Sequence, residues 1–172
     1  RDKETAETAI QASLTGHIVF STLHTNDSAG ATTRLLDMGV EPFLVASSVE
    51  GVLAQRLVRR ICSTSYEYYT PEPGDVPDDF ELPTEGEHAG KLKRGVPSRE
   101  NRMTGYRGRV GIYELLRLSP ELRDMIMDRV NSPEIAKAAL ASGDLLTMRR
   151  DGYEKVRRGM TTMTEVARAI AV

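Results

Sequence analysis

The stretch Ser21-Thr22-Leu23-His24-Thr25-Asn26-Asp27-Ser28-Ala29 places a histidine between an apolar run and the start of a helix. His17 to Leu23 predicts a buried strand, apolar on both faces near its centre. Asp27 to Met38 predicts a helix, with Ala31, Leu35 and Met38 at helical spacing. Thr25, Asn26 and Asp27 are all residue types that cap helix N-termini. Strand, short polar loop and helix start together present unpaired backbone N–H groups and the positive end of a helix dipole to an anion. His24 at this junction can donate a hydrogen bond to a terminal phosphate oxygen. The alternative, that His24 only satisfies a loop carbonyl, stays open on spacing alone.

Upstream, Asp2 to Leu14 predicts a helix with Asp2 as cap, Glu4 in the first turn and Gly16 beyond its end. Downstream, Glu41-Pro42 opens a third helix running to Ser48, and Leu53 to Ile61 predicts a second strand. Alternation of helix and strand argues for an α/β layer with a largely parallel sheet. Residues 63–101 break the pattern: five prolines, an acidic cluster from Asp75 to Glu87 and then Lys91, Lys93 and Arg94 predict a solvated, partly disordered excursion. Its Tyr66, Tyr68, Tyr69 and Phe80 are expected to tether it, most simply to its own domain. Arg107 to Leu116 returns as a strand. From Ser119 the chain predicts short helices, started by Ser119-Pro120-Glu121 and again by Ser132-Pro133-Glu134, then Leu146 to Arg158 and Thr164 to Ala171.

Composition narrows the function classes. A chain of 172 residues with 40% apolar side chains can bury one core and a smaller satellite. A net charge of −2 from scattered, balanced charges gives no nucleic-acid footprint. No apolar run reaches bilayer-spanning length, and no signal peptide opens the sequence. The single cysteine, Cys62, excludes an internal disulfide framework and fits a reducing compartment.

Taken onward from Gly16, GHIVFSTLHTNDSAGATTRLLDMGVEPFLVASSVEGVLAQRLVRRIC resembles the histidine box and following core of the type II secretion and type IV pilus assembly ATPases. RDKETAETAIQASLTG resembles the segment after that family's Walker B strand, and TGYRGRVGIYELL with DGYEKVRRGMTTMTEVARAI resembles its C-terminal region. The resemblance implies the C-terminal half of a RecA-like P-loop NTPase domain followed by a small helical bundle. It implies four divisions: 1–62 in the ATPase core, 63–103 as insert, 104–118 as a strand returning to the core, and 119–172 as a helical domain. It also implies a hexameric cytoplasmic motor of identical copies, using ATP and magnesium and pushing on an inner-membrane platform protein with which it associates peripherally.

His24 would then sense the γ-phosphate, and Glu4, with Arg1 and Asp2, would lie beside magnesium and the attacking water. Gln55 and Arg56 fall in the family's AQRLVRR motif near the nucleotide. Other roles stay open: Asp2 and Glu4 also suit any helix start, and Arg56, Arg59 and Arg60 also suit surface ion pairs. No G-x-x-x-x-G-K-[ST] loop occurs in the sequence, and the Walker B glutamate is expected upstream of Arg1. The chain is therefore expected not to turn over ATP alone, and to hold no nucleotide tightly.

The family's structural zinc, held by two C-x-x-C pairs flanking the insert, would map to Cys62, Ser65, Ser98 and Asn101. One thiolate cannot complete a four-ligand tetrahedral site, and His88 does not replace the missing ligands. No zinc is expected, with the ends of the insert held by packing of Ile61 and Tyr66. A second reading, from a different class, is a docking module that has shed catalysis, using the acidic insert and the helices as contact surfaces.

Overall fold

Side-chain caps set most of the helix starts. In a computed structural model, which describes residues 2–25 and 27–171, Asp2 accepts the Thr5 N–H at 2.8 Å and opens α1 (Lys3–Leu14). Asp27 likewise accepts the Gly30 N–H at 2.6 Å and opens α2 (Ser28–Asp37), while Pro42 begins α3 (Pro42–Ser48). Five strands follow or interleave: β1 (Gly51–Ile61), β2 (Tyr66–Tyr69), β3 (Leu92–Gly95), β4 (Tyr106–Arg117) and the two-residue β5 (Leu145–Leu146). The remaining helices are α4 (Pro120–Met127), α5 (Ser132–Ser142), α6 (Met148–Arg157) and α7 (Met163–Ile170). The α5 cap is Asn131, one residue earlier than expected, because its side chain accepts the Glu134 N–H at 3.0 Å.

The chain divides into two compact units. The first, residues 1–54 and 114–146, contains α1 to α5, the start of β1, the end of β4 and β5, and its core includes Val45, Leu116, Leu122, Ile126 and Ile135. β4 runs antiparallel to β5, with Leu115 opposite Leu146 and Leu116 opposite Leu145. Arg117 bonds the buried Asp144 at 2.7 Å, which fixes the turn between α5 and β5 to the end of β4.

The second unit, residues 55–113 and 147–172, contains the rest of β1 and β4 together with β2, β3, α6 and α7. Its core joins Phe80, Leu92, Tyr153, Val156, Met163 and Val166. Gly152 lets α6 approach α7, since a Cβ there would lie 2.5 Å from Val166 Cγ1. Glu165 of α7, 3% exposed, accepts the Arg59 N–H at 2.9 Å and its guanidinium at 2.7 Å, and Arg168 at 3.0 Å. The Arg59 guanidinium also lies 4.2 Å over the Tyr106 ring.

Several expectations change. Residues 17–23 form no strand: among the described residues nothing hydrogen-bonds the backbone of 18–23, and Ile18 and Phe20 are 86% and 93% exposed. An apolar run becomes a strand only when a neighbour supplies the ladder. The sheets are not largely parallel, since both strand pairs of known register, β2–β3 and β4–β5, are antiparallel. Residues 63–101 are mostly exposed, as a solvated excursion should be, but they are ordered where β2 pairs with β3 and where Phe80 and Leu92 are buried. Phe80 meets Tyr153 edge-on at 5.1 Å, so the aromatic tether does hold the insert within its own unit. Ile61 is buried, and Tyr66, 43% exposed, sits opposite Gly95 in the β2–β3 register with Lys93 Nζ 3.6 Å over its ring. The helices after Ser119 also divide by packing rather than by sequence order, α4 and α5 with the first unit and α6 and α7 with the second.

Candidate functional site

The junction before α2 is built from both ends of the first unit. Thr25 Oγ1 donates to the Asp27 carbonyl at 3.0 Å, and Asp27 caps Gly30 N–H. A second carboxylate arrives from β4: Glu114 Oε1 accepts both the Ser28 N–H at 2.9 Å and the Ser28 hydroxyl at 2.6 Å. Ser28 is fully buried, so Glu114 satisfies a polar side chain that would otherwise be stranded. Two first-turn N–H groups are thus occupied by carboxylates, which also balance the positive end of the α2 dipole. The expectation of a helix start open to an anion is corrected accordingly. Glu114 was missed by sequence reasoning because it lies 86 residues from Ser28, and no local pattern links them.

His24 stands exposed in the irregular segment just ahead of this doubly capped start. Of the other candidates, Arg1 lies outside the described residues, as does Asn26 of the polar loop. Asp2 is committed to α1 as its cap, and the Thr5 backbone and side-chain hydrogen bonds hold its carboxyl below the ordinary carboxylate range. Glu4 projects exposed from the first turn of α1. Among the described residues no hydrogen bond or ion pair joins His24, Asp2 and Glu4. Gln55, exposed, and Arg56, half-buried, lie on β1 in the second unit. Gln55 is next to β4, since a Cβ on Gly111 would lie 3.1 Å from its Nε2 and 2.5 Å from the Tyr113 hydroxyl. Arg59, read as a possible surface pair, engages the buried Glu165 instead.

Among the described residues no group of three or more His, Cys, Asp or Glu could hold a metal ion. None of the described helices is long and apolar enough to cross a membrane. Chemically, the junction offers an exposed imidazole ahead of a helix start at which the Ser28 and Gly30 N–H groups are already bonded to carboxylates.

Known proteins share this sequence and fold. A profile of the family described as "Type II/IV secretion system protein" matches residues 1–168. "Type II secretion system protein E" of Pseudomonas aeruginosa is 46% identical over 172 residues, covering 98% of this chain and 32% of that protein. "Type IV pilus assembly ATPase PilB" of Thermus thermophilus is 43% identical over 166 residues, covering 96% of this chain and 18% of that protein. The chain therefore spans about a third, or less, of the length of these relatives. The fold matches the crystal structure of the pilus retraction motor PilT with bound ADP at a TM-score of 0.60 and 23% identity, over 98% of this chain and 37% of that one. Its α/β architecture is thus that of part of a RecA-like ATPase domain followed by helices, and the chain belongs to the type II/IV secretion system protein family.

Proposed function

We propose that this chain is the C-terminal part of a hexameric ATPase that powers type II protein secretion or type IV pilus assembly from the cytoplasmic side of the inner membrane, against a platform protein. The observation that carries this reading is the position of His24, exposed and directly ahead of a helix whose start is fixed by Asp27 and Glu114. Because the Ser28 and Gly30 N–H groups are already bonded to carboxylates, the phosphate contact falls to the His24 imidazole rather than to the helix backbone. Nucleotide and magnesium bring the transferable phosphoryl group and its charge neutralisation, with the phosphate cradle supplied upstream of Arg1. Glu4, with Asp2 beside it at the start of α1, then faces magnesium or the attacking water. The isolated chain releases no phosphate from ATP in this account.

The test is steady-state ATP hydrolysis by the full-length protein, as wild type and as His24→Ala at matched oligomeric state. Removal of a positioned transition-state hydrogen-bond donor lowers turnover on the order of 100-fold. Unchanged turnover would return His24 to the role of a loop residue. A wild type without turnover would favour a docking module over a motor.

A further inference from the structure

Asn101 closes the base of the insert with a single carboxamide. It is 3% exposed, and its Oδ1 accepts three backbone N–H groups: Ser98 at 2.9 Å, Thr104 at 3.1 Å and Gly105 at 3.0 Å. Its Nδ2 donates to the Val96 carbonyl at 2.7 Å. The two backbone segments so gathered are bonded to the end of β1: Val96 N–H to the Ser65 carbonyl at 3.0 Å, Ser65 Oγ to the Val96 carbonyl at 2.8 Å, and Cys62 N–H to the Gly105 carbonyl at 3.0 Å. Gly95 and Gly105 approach so closely that a Cβ on Gly95 would fall 1.8 Å from the Gly105 oxygen.

The turn that Asn101 organises is strained. Arg102 and Met103 are consecutive non-glycine residues at φ 53° and 61°, a left-handed conformation that side chains with a Cβ resist. Such a pair persists only where surrounding bonds over-determine it. Here the bonds are those of Asn101, together with Met103 N–H to the Ser98 carbonyl at 2.8 Å and Thr104 Oγ1 to the Asn101 carbonyl at 2.6 Å.

The zinc that the family resemblance implies does not fit these residues. The four corresponding positions supply one thiol, two hydroxyls and an amide, and tetrahedral zinc takes thiolate, imidazole or carboxylate. Their atoms are also mostly engaged elsewhere. The Asn101 oxygen carries three donors, Ser65 Oγ donates to a carbonyl, and Cys62 Sγ lies 3.3 Å from Thr64 Oγ1.

We propose that the Asn101 carboxamide is a metal-free clasp, a cross-link standing where a zinc ion would otherwise tie the end of β1 to the turn that enters β4. The second unit then holds its shape without metal, and chelation or thiol oxidation does not release the insert. The chain is assayed as purified, by zinc content and by thermal melting with and without EDTA, alongside Asn101→Ala, Asn101→Asp and the triple variant Ser65→Cys/Ser98→Cys/Asn101→Cys. Wild type is expected to carry far less than one zinc per chain and to melt identically in EDTA. Asn101→Ala loses several degrees of melting midpoint that added zinc does not restore. Asn101→Asp, which keeps the acceptor but loses the donor to Val96, loses fewer degrees and keeps the test informative if the alanine variant does not fold. The triple variant takes up one zinc and becomes EDTA-sensitive. Stoichiometric zinc in wild type, an EDTA-induced drop in its melting point, an unchanged midpoint in Asn101→Ala, or a folded triple variant that takes up no zinc would each overturn the clasp.

Discussion

Phe20 and Phe80 are the same side chain in opposite circumstances. Phe20 sits in an apolar run, Ile18-Val19-Phe20, and is 93% exposed, whereas Phe80 sits among prolines and carboxylates and is 6% exposed, edge-on against Tyr153. The difference teaches that burial follows the availability of a covering partner rather than the hydropathy of neighbours along the chain. Phe80 has the faces of α6 and α7 beside it through Tyr153, Val156, Met163 and Val166. The segment around Phe20 has no ladder partner among the described residues.

The largest effect should separate these two phenylalanines. Phe80→Ala is expected to cost about 3–5 kcal/mol, the usual loss for a truncated buried ring, whereas Phe20→Ala should stay within about 0.5 kcal/mol of wild type. Urea denaturation of both variants measures this, and equal costs would break the comparison.

Next in size is the ionic tie of the packed unit. Glu165→Ala should cost about 2–3 kcal/mol, below the figure for a fully buried pair because Arg59 is 43% exposed. Glu165 also gives the comparison a pH signature. Burial alone would raise its pKa, but the hydrogen bonds from Arg59 and the charges of Arg59 and Arg168 outweigh it and hold it below its ordinary value. A depressed folded pKa contributes stability in full above the unfolded value, roughly 4.3, and loses it as pH falls through the folded value. Wild type and Glu165→Gln should therefore differ at neutral pH and converge in acid; a gap that widens in acid would contradict the assignment.

In the first unit, Glu114→Ala should cost about 1–2 kcal/mol, because it leaves the buried Ser28 N–H and hydroxyl without their acceptor. Glu114→Gln should recover most of it in the same urea titration. The smallest effect concerns Ser98, whose hydroxyl is buried without a hydrogen-bond partner among the described residues. Ser98→Ala should leave the thermal midpoint unchanged or raise stability by up to about 1 kcal/mol.

What the sequence disclosed was local. Asp2, Asp27 and Pro42 announce their helices because a helix start is set within one turn, and β1 and β4 show as segments carrying Leu, Val and Ile among charged residues. Hidden were features that need two distant segments. β5 is only Leu145–Leu146 and exists because β4 lies beside it. Glu114 reaches Ser28 across 86 residues, and Glu165 reaches Arg59 across 106. Asn101, at a position that matches a metal ligand of the family, instead holds four backbone groups through its carboxamide: the Ser98, Thr104 and Gly105 N–H and the Val96 carbonyl. For the candidate site, His24 and the polar loop are legible as residue types and Asp27 as a cap, whereas Glu114, which takes the Ser28 N–H and hydroxyl, is not.

Amide hydrogen exchange on the wild-type chain tests most directly the claim that partners, not composition, set order here. The account predicts near-intrinsic exchange at residues 18–23 and strong protection at 66–69 and 92–95, where β2 and β3 pair. Protection of the apolar run together with fast exchange through the proline-rich insert would contradict it.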